Sequence, residues 1–314
     1  MSIWHKYSWI AYLAVFLGVC GHASSEFFSV LTGLKGPELS VWRFLLGGFG
    51  LIVLALIFPN SRNLLEPFRE DGLRMIWLSV IGVSLGYLLF HWSLDFATVP
   101  QVATMVTTIP IFVGLINLWV NKQPLSGAKL ISGVCAMVGV ALLLTDGYLA
   151  KLAGSAESLI GILMALGCAA VFAVYTVMVR PIIGRYGALR ITAITMFMGA
   201  IGLWIVVGLF WKIWVNPATL FSRTSGQVAS LLTLAFWNTT ITQFLWIGGL
   251  AAVPDITRGS YLFFLKPVIA ACLAVVFLNQ DLTARQVLAI IVICACVTVE
   301  ASWGWFRQSR SDSY

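Results

Sequence analysis

Hydrophobic residues run along nearly the whole chain in long blocks that short polar stretches separate. The blocks are continuously apolar, without the alternation of a half-buried strand, and each approaches the roughly 20 residues that a helix needs to cross a bilayer. This pattern predicts an all-α integral membrane protein with ten transmembrane helices. The predicted spans are residues 7–31, 38–58, 74–98, 99–120, 128–145, 159–179, 189–211, 228–253, 255–278 and 284–303.

Composition supports the same class of protein. Of the 314 residues, 60% are hydrophobic and only 10% are charged, which is more apolar surface than one soluble core can hide. The polar stretches are too short to fold alone, so no soluble domain is expected. All six cysteines fall inside apolar spans, and their spacing matches no zinc or redox motif. The sequence therefore predicts neither a metal nor another cofactor.

Lys and Arg are distributed unequally between the loops of the two sides. If the amino terminus is cytoplasmic, twelve of the nineteen lie on the cytoplasmic side. The opposite side has six, Lys35, Arg43, Lys151, Lys212, Arg223 and Arg285, and Lys266 lies within a span. This excess follows the positive-inside rule and predicts that both termini are cytoplasmic. The net charge of +7 thus indicates topology and contact with anionic lipids rather than nucleic-acid binding.

The two halves of the chain align when the sequence is shifted by 157 residues, so that Pro110 falls on Pro267 and Gln123 on Gln280. Around these pairs, both halves have an apolar helix end, a polar turn, a Leu-Ser or Leu-Thr helix start and another apolar helix. Five spans per half would insert the second half upside down. We therefore predict two inverted five-helix repeats, residues 1–150 and 151–314, the plan of secondary transporters with a site near the membrane midplane.

Three segments resemble drug/metabolite transporters of the EamA type. GHASSEFFSVLTGLKGPELSVWRFLLGGFGLIV, with Pro37 and Arg43, resembles their first two helices. AVFAVYTVMVR resembles the first helix of the second repeat, and SYLFFLKPVIAACLAVVFLNQDLT its fourth helix and following turn. The resemblance implies a ten-helix inverted-repeat fold, a site lined mainly by helices 1, 3, 4, 6, 8 and 9, and export or exchange of small metabolites, often amino acids.

One departure from the family concerns the turn before the Leu-Ser or Leu-Thr pair of each repeat. The family often has Glu there, whereas this chain has Gln123 and Gln280. A role that needs a negative charge at these positions is therefore absent. We expect both glutamines to hold structural turns rather than substrate.

Lys266 is the strongest single candidate for substrate binding. It lies deep in a predicted span, where a charged group is costly and needs a reason. The following Pro267 lacks a backbone donor and loosens the helix. Lys266 is expected to attract a substrate carboxylate, and a structural ion pair with Glu26 is the open alternative.

Glu26 and His22 are one helical turn apart in the first span and share a helix face. Such a pair can hold and release a proton during transport, and a solvated polar face is the alternative. Arg43 is close enough to the end of the second span to reach the interface by snorkelling, so it is not expected to bind substrate.

Neutral polar and aromatic residues complete the expected site. Helix eight contributes Asn238, Thr242 and Gln243, and helix four Thr104 and Thr108. These residues can bond a substrate or, equally, neighbouring helices. Four aromatic residues are expected to wall the cavity, with packing or interfacial positions as the alternative: Tyr87, Trp92, Tyr175 and Tyr261.

The sequence favours a secondary carrier in the plasma membrane of a bacterial cell (its inner membrane), working by alternating access on amino acids or their derivatives. No Walker motif supports direct ATP drive. An efflux carrier for drugs or cationic compounds and a non-transporting membrane scaffold are the alternatives. An intramembrane enzyme is not expected, because no His-Glu-x-x-His motif or paired aspartates occur. The expected partners are a small-molecule substrate and membrane lipids, with a homodimer possible.

Overall fold

The computed structural model describes residues 7–34, 36–147, 156–278 and 281–311, and among these all side chains except those of residues 26, 30, 99, 156, 157, 278 and 301–311. This part of the chain is helical almost throughout and contains no strand. We number the long helices α1 to α10. The first five are α1 Ser8–Leu31, α2 Gly36–Ile57, α3 Phe68–Ser93, α4 in two segments, Val99–Val106 and Ile109–Asn121, and α5 Gly127–Thr145.

The second half repeats this order of helices. It comprises α6 Ala156–Tyr186, α7 Ala188–Trp211, α8 Ser225–Ala252, α9 in two segments, Ile256–Tyr261 and Lys266–Leu278, and α10 Ala284–Ser311. A short 3₁₀ helix, Pro217–Ser222, lies in the loop before α8.

The prediction of an all-helical membrane protein is confirmed. Within the described residues, nine helices, α1 to α9, are long and apolar enough to cross a membrane. The helix α10 extends over 28 residues, but its side chains from residue 301 onward lie outside the described part, so the tenth span stays a prediction. Large apolar side chains such as Trp9, Ile131 and Phe277 are exposed on the outer surface, as lipid contact requires.

Two helix boundaries differ from those predicted. The helix α3 begins at Phe68 rather than at residue 74, because its first turn carries Arg69 and Glu70 and is not apolar. The helix α6 continues to Tyr186, beyond the predicted end at residue 179, and includes Pro181. Hydropathy marks only the apolar part of a helix, so polar extensions at the membrane surface are missed.

Irregular helix segments recur at matching positions in the two halves. The helix α4 is interrupted between Val106 and Ile109, and α9 has a 3₁₀ turn, Leu262–Leu265, before Lys266. The second segments therefore start at residues 109 and 266, which are 157 apart. The π-helical segments Leu78–Leu85 in α3 and Phe236–Ile241 in α8 correspond at nearly the same shift. The structural interruptions thus follow the repeat seen in the sequence.

Small residues let the central helices approach closely. A Cβ atom on Gly47 would lie 2.6 Å from the side chain of Thr239 in α8, and one on Gly48 would lie 3.0 Å from the Cα atom of Phe197 in α7. Such contacts are typical of membrane helices, which associate through close packing rather than through the hydrophobic effect. The helices α5 and α10 pack on each other beside this centre and share a separate apolar cluster that includes Val140 and Ile293.

The first turns of α4 and α9 are capped differently. Thr98 and Gln101 form a neutral capping box at the start of α4. At the equivalent positions of α9, the carboxylate of Asp255 accepts a hydrogen bond from the Arg258 backbone N–H, 3.1 Å away, and forms an ion pair with Lys129 of α5. Burial raises the pKa of the Asp255 carboxyl, but the hydrogen bond and charge of Lys129 outweigh this effect and hold that pKa below its ordinary value.

Further ion pairs among the described residues join the first half to the second. Arg185 Nη2 lies 2.9 Å from Asp71 Oδ2, and the guanidinium of Arg190 pairs with Glu66. These residues lie at the ends of α3, α6 and α7, on the side predicted to be cytoplasmic. The described residues also include a pair on the opposite side, Arg223 with Glu38, at 3.2 Å.

Candidate functional site

A cavity of about 50 Å³ lies where eight of the described helices meet. That volume holds only a few water molecules, so the helices pack closely around the cavity. The wall includes residues of α1 to α4 and α6 to α9. They are His22, Ser25, Arg43, Tyr87, Phe90, Val106, Ile109, Phe172, Tyr175, Thr176, Met196, Gln243, Trp246, Ile247, Phe263 and Lys266.

Lys266 lies on this wall at the first position after the 3₁₀ turn of α9, and only 7% of it is exposed. Its ammonium nitrogen is 5.8 Å from the ring centre of Phe90 and 5.7 Å from that of Phe263. Aromatic faces partly stabilise a desolvated cation. Because Pro267 has no N–H, the regular helical hydrogen bond to the Phe263 carbonyl is absent at this turn, and Lys266 lies directly after it.

Arg43 is the second cation of the wall, and 2% of it is exposed. Its Nε donates to Thr239 Oγ1 at 3.0 Å, and its Nη2 donates to the Asn238 carbonyl oxygen at 3.1 Å. Both acceptors belong to the π-helical segment of α8, where the wider turn exposes a backbone carbonyl. The prediction that Arg43 reaches the interface by snorkelling is therefore wrong, because α8 holds the guanidinium inside the bundle.

His22 also lines the cavity, as expected for a residue of the site. Its ring makes edge contacts with Trp246 and Phe263, at centroid distances of 5.7 and 5.6 Å. The Nε2 atom is buried and has no hydrogen-bond partner among the described residues. Its predicted partner Glu26 has a side chain outside the described part of the structure, so the proposed proton-holding pair stays a prediction.

Three more predicted residues line the cavity: Tyr87, Tyr175 and Gln243. Gln243 Nε2 of α8 donates to the Tyr87 hydroxyl of α3, so this hydrogen bond crosses from one half to the other. The Tyr175 hydroxyl bonds the Thr195 hydroxyl at 2.8 Å. The ring of Tyr175 packs against Gly82, where an added Cβ would lie 2.5 Å from Tyr175 Cδ2. The aromatic wall therefore depends on close helix contacts.

The other predicted substrate residues are not part of the cavity wall: Thr104, Thr108, Asn238, Thr242, Tyr261 and Trp92. The hydroxyls of Thr104 and Thr108 donate to carbonyls of their own helix, at 2.7 and 2.5 Å. Thr242 does the same toward Trp237, at 2.8 Å. Each hydroxyl is thus used within its helix.

Asn238, Tyr261 and Trp92 make contacts between helices outside the cavity. Asn238 Nδ2 donates to the Gly21 carbonyl at 2.6 Å and so joins α8 to α1. The Tyr261 hydroxyl donates to the Lys129 carbonyl in the first turn of α5. Trp92 packs edge-on against Trp211, with ring centres 4.8 Å apart.

Of the two predicted turn residues, Gln123 and Gln280, only Gln123 belongs to the described part of the chain. Gln123 is exposed and its Oε1 accepts a hydrogen bond from Asn117 Nδ2 at 2.8 Å, which fits a structural role in the turn after α4. Gln280 lies outside the described residues.

The sequence analysis missed Arg43 and the aromatic residues Phe90, Trp246 and Phe263. The sequence shows that Arg43 lies within an apolar span, but it does not show that the acceptors of its hydrogen bonds lie in α8. The repeat held a further signal: Val106 and Ile109 of α4 are 157 residues before Phe263 and Lys266 of α9, and all four line the cavity. Neither Val106 nor Phe263 was among the predicted residues, so this correspondence becomes visible only once the cavity wall is known.

The chain is similar to known transporters along most of its length. The EamA-like transporter family matches it twice, over residues 6–145 and 159–299. A protein of Clostridium kluyveri named "Uncharacterized transporter" is 22% identical over 287 residues, covering 90% of each chain. One of the same name from Archaeoglobus fulgidus is 26% identical over 263 residues, covering 82% of this chain and 86% of its own. A solved crystal structure has the same fold, with a TM-score of 0.74 at 18% identity, over 93% of this chain and 96% of its own.

Proposed function

Because the chain belongs to the EamA-like transporter family, we propose that it is a secondary carrier for small metabolites that bear a carboxylate, such as amino acids or their derivatives. The substrate binds in the cavity between the two halves, and the halves rock about it by alternating access. The observation that carries this proposal is a buried cavity at the junction of the halves with two basic side chains, Arg43 and Lys266, on its wall. Its wall includes Lys266 from the second half and the Tyr87–Gln243 bond between halves.

Electrostatic cost supports a functional role for Lys266. Holding a charged side chain inside a bilayer costs about 2.5–3.5 kcal/mol on insertion scales. The two aromatic contacts offset part of this cost. A substrate carboxylate would offset more, because a charge-assisted hydrogen bond is strong in a medium of low dielectric.

The repeat supports the mechanism. Matching helix interruptions at residues 109 and 266 suit two inverted five-helix repeats, residues 1–150 and 151–314, with ten spans. Inverted repeats allow one half to rock against the other around a fixed central site. We propose export or exchange across the bacterial inner membrane as the physiological direction, and this rests on the resemblance to the family alone.

The test is transport of labelled metabolites by the purified protein in sealed liposomes. The panel contains neutral and acidic amino acids, simple carboxylates and a quaternary ammonium compound. We expect uptake of carboxylates and none of the quaternary ammonium compound. Lys266→Met should lower carboxylate affinity by about ten- to a hundredfold, since a hydrogen bond to a charged group contributes about 1.5–3 kcal/mol. Transport by Lys266→Met at the wild-type rate would contradict this role.

The matched control is Lys212→Met, which removes an exposed lysine after α7 and should leave transport unchanged. A stability cycle separates binding from a structural role. If Lys266 served only as the structural partner of Glu26, Lys266→Met would lower the melting temperature and Glu26→Gln would partly restore it. Uptake of the quaternary ammonium compound alone would instead favour the efflux of cations.

A further inference from the structure

We propose that Glu300 of α10 is a proton-binding site, and that a proton bound there frees the start of α9, the helix that carries Lys266. Only 3% of Glu300 is exposed, and the residue lies within the last predicted span. An ionisable group at such a position is costly and is typical of proton or substrate pathways in transporters. The site itself is independent of the substrate, whereas its effect on transport rests on the proposed function.

Glu300 forms a loose ion pair with Arg258, which belongs to the first segment of α9. Arg258 Nε lies 3.6 Å from Glu300 Oε1, beyond the usual hydrogen-bond distance. The Nε atom is buried and has no hydrogen-bond partner among the described residues. Asp71, another buried carboxylate, instead accepts a hydrogen bond from Arg185 Nη2 at 3.0 Å. The charge of Glu300 is therefore held by a poorer geometry than the charge of Asp71.

Other charged or titratable groups surround this pair. They are Tyr12 of α1, Lys129 of α5, Arg180 of α6, and Asp255 and Tyr261 of α9. Because Lys129 pairs with Asp255, the attraction of Arg258 is the main effect that favours the charged form of Glu300. Desolvation favours the neutral form. We therefore expect this carboxyl to gain and lose a proton close to neutral pH.

The state of Glu300 acts on the part of α9 that leads to the candidate substrate-binding residue. Arg258 belongs to the segment Ile256–Tyr261, which a 3₁₀ turn joins to Lys266. This segment is held to α5 by the ion pair and the hydrogen bond described above, and to α10 by Glu300. A proton on the carboxylate removes its charge and with it the attraction to Arg258. The attachment to α10 is then weakened, and α9 moves more easily during a transport cycle.

The ion pair belongs to one half of the repeat. The residues 157 positions before Glu300 and Arg258 are Leu143 and Gln101, and neither can carry a charge. The equivalent start of α4 therefore lacks a proton site of this kind. With the proposed inverted repeats, protons would act at one end of the bundle, the end predicted to be cytoplasmic.

The first experiment detects the proton directly, by infrared difference spectra of the purified full chain between pH 8 and pH 5.5, a range above the ordinary titration of exposed carboxylates. Protonation of a carboxylate produces the C=O stretching band of a carboxylic acid. Wild-type protein should gain this band on acidification, and Glu300→Gln should not. The matched control is Glu66→Gln, which removes the half-exposed partner of Arg190 and should keep the band.

A second acidic variant keeps the site testable if Glu300→Gln does not fold. Glu300→Asp retains a carboxyl at a changed distance from Arg258, so its band should be present at a shifted frequency. A band identical to that of the wild-type protein would show that another carboxyl gives the signal.

The second experiment follows the start of α9 by hydrogen–deuterium exchange of the peptide that covers Ile256–Tyr261. After correction for intrinsic rates, wild-type protein should exchange about two- to fivefold faster at pH 5.5 than at pH 8, the effect of losing a partly exposed ion pair. Glu300→Gln mimics the protonated form and should exchange fast at both values of pH. Glu66→Gln should behave as the wild-type protein does.

The outcomes separate the site, its effect and the proposed function. A carboxylic acid band that persists in Glu300→Gln would overturn the proton-binding site, and its loss in Glu26→Gln instead would place the proton on α1. A band that depends on Glu300, with no change of exchange at the start of α9, would overturn the link to α9. Neither measurement needs a substrate, so absence of transport in liposomes would contradict the proposed function alone.

Discussion

At the residue scale, glycines decide how closely aromatic rings can approach the cavity. Gly82 in the π-helical segment of α3 faces the ring of Tyr175, and Gly18 in α1 faces Trp246, whose Cβ lies 2.9 Å from the position of an added methyl group. Both rings belong to the cavity wall. A methyl group at either glycine must therefore displace a wall residue or separate two helices.

The first consequence concerns stability. Gly82→Ala should destabilise the protein by about 1–3 kcal/mol, because overpacking forces side chains and backbone to shift. The measurement is thermal unfolding of the purified protein in detergent. Gly184→Ala is the control, since nothing lies within 4 Å of a Cβ at that helical position. It should be neutral or stabilising by up to about 1 kcal/mol. An equal loss of stability in both variants would contradict the close contact at Gly82.

Single residues also show how far the sequence could predict the site. Lys266 was predicted because a charge in the middle of an apolar block is conspicuous. Tyr261 and Tyr87 looked alike, but Tyr261 lies before the 3₁₀ turn of α9 and faces α5, whereas Tyr87 faces α8. The direction of a side chain depends on local helix geometry that hydropathy does not contain. For Arg43, the partners lie nearly 200 residues away in the chain.

At the element scale, the interruption of α9 lies directly before Lys266, the candidate substrate-binding residue. A regular helix would have a hydrogen bond from residue 267 to the carbonyl of Phe263, and Pro267 cannot donate it. The equivalent proline of α4, Pro110, follows Ile109, which carries no charge. The segment after the break therefore begins with a cation in the second half and with an apolar side chain in the first.

Pro267→Ala should restore this hydrogen bond and rotate Phe263 and Lys266 relative to the cavity. We expect unchanged or higher thermal stability together with slower liposome transport. Pro110→Ala, the equivalent change in the other half, should reduce transport less, because no charged residue depends on that turn. Wild-type transport by Pro267→Ala, or equal losses in the two variants, would show that the break has no special role in α9.

The helix order and the membrane class could be predicted from periodicity and composition, because each long apolar block must become a helix in lipid. The π-helical segments in α3 and α8 could not be predicted. Residues of these segments bond distant parts of the chain, as Thr240 Oγ1 does by donating to the Gly47 carbonyl at 2.8 Å, and hydropathy does not contain such contacts. Sequence therefore predicts where helices cross the membrane better than it predicts which side chains meet between them.

At the scale of the whole molecule, the side of each terminus depends on the number of spans. The nine spans of the described residues would leave the termini on opposite sides, whereas a tenth crossing by α10 returns the chain to the same side. The excess of Lys and Arg on one side favours the second arrangement. Reporter fusions at Met1 and Tyr314 should both report a cytoplasmic location. A periplasmic signal from either fusion would exclude ten spans or the predicted orientation.

At the same scale, the unequal caps of α4 and α9 give one helix start a charged contact with a neighbouring helix that the other lacks. Thr98 and Gln101 correspond to Asp255 and Arg258, and the proposed inverted repeats would set these equivalent turns on opposite faces of the membrane. The ion pair with Lys129 ties the turn at Asp255 to α5, whereas hydrogen bonds within the start of α4 hold the turn at Thr98. Salt screens the first kind of contact and scarcely affects the second. High ionic strength should therefore loosen the attachment of α9 to α5 while it leaves the cap of α4 unchanged.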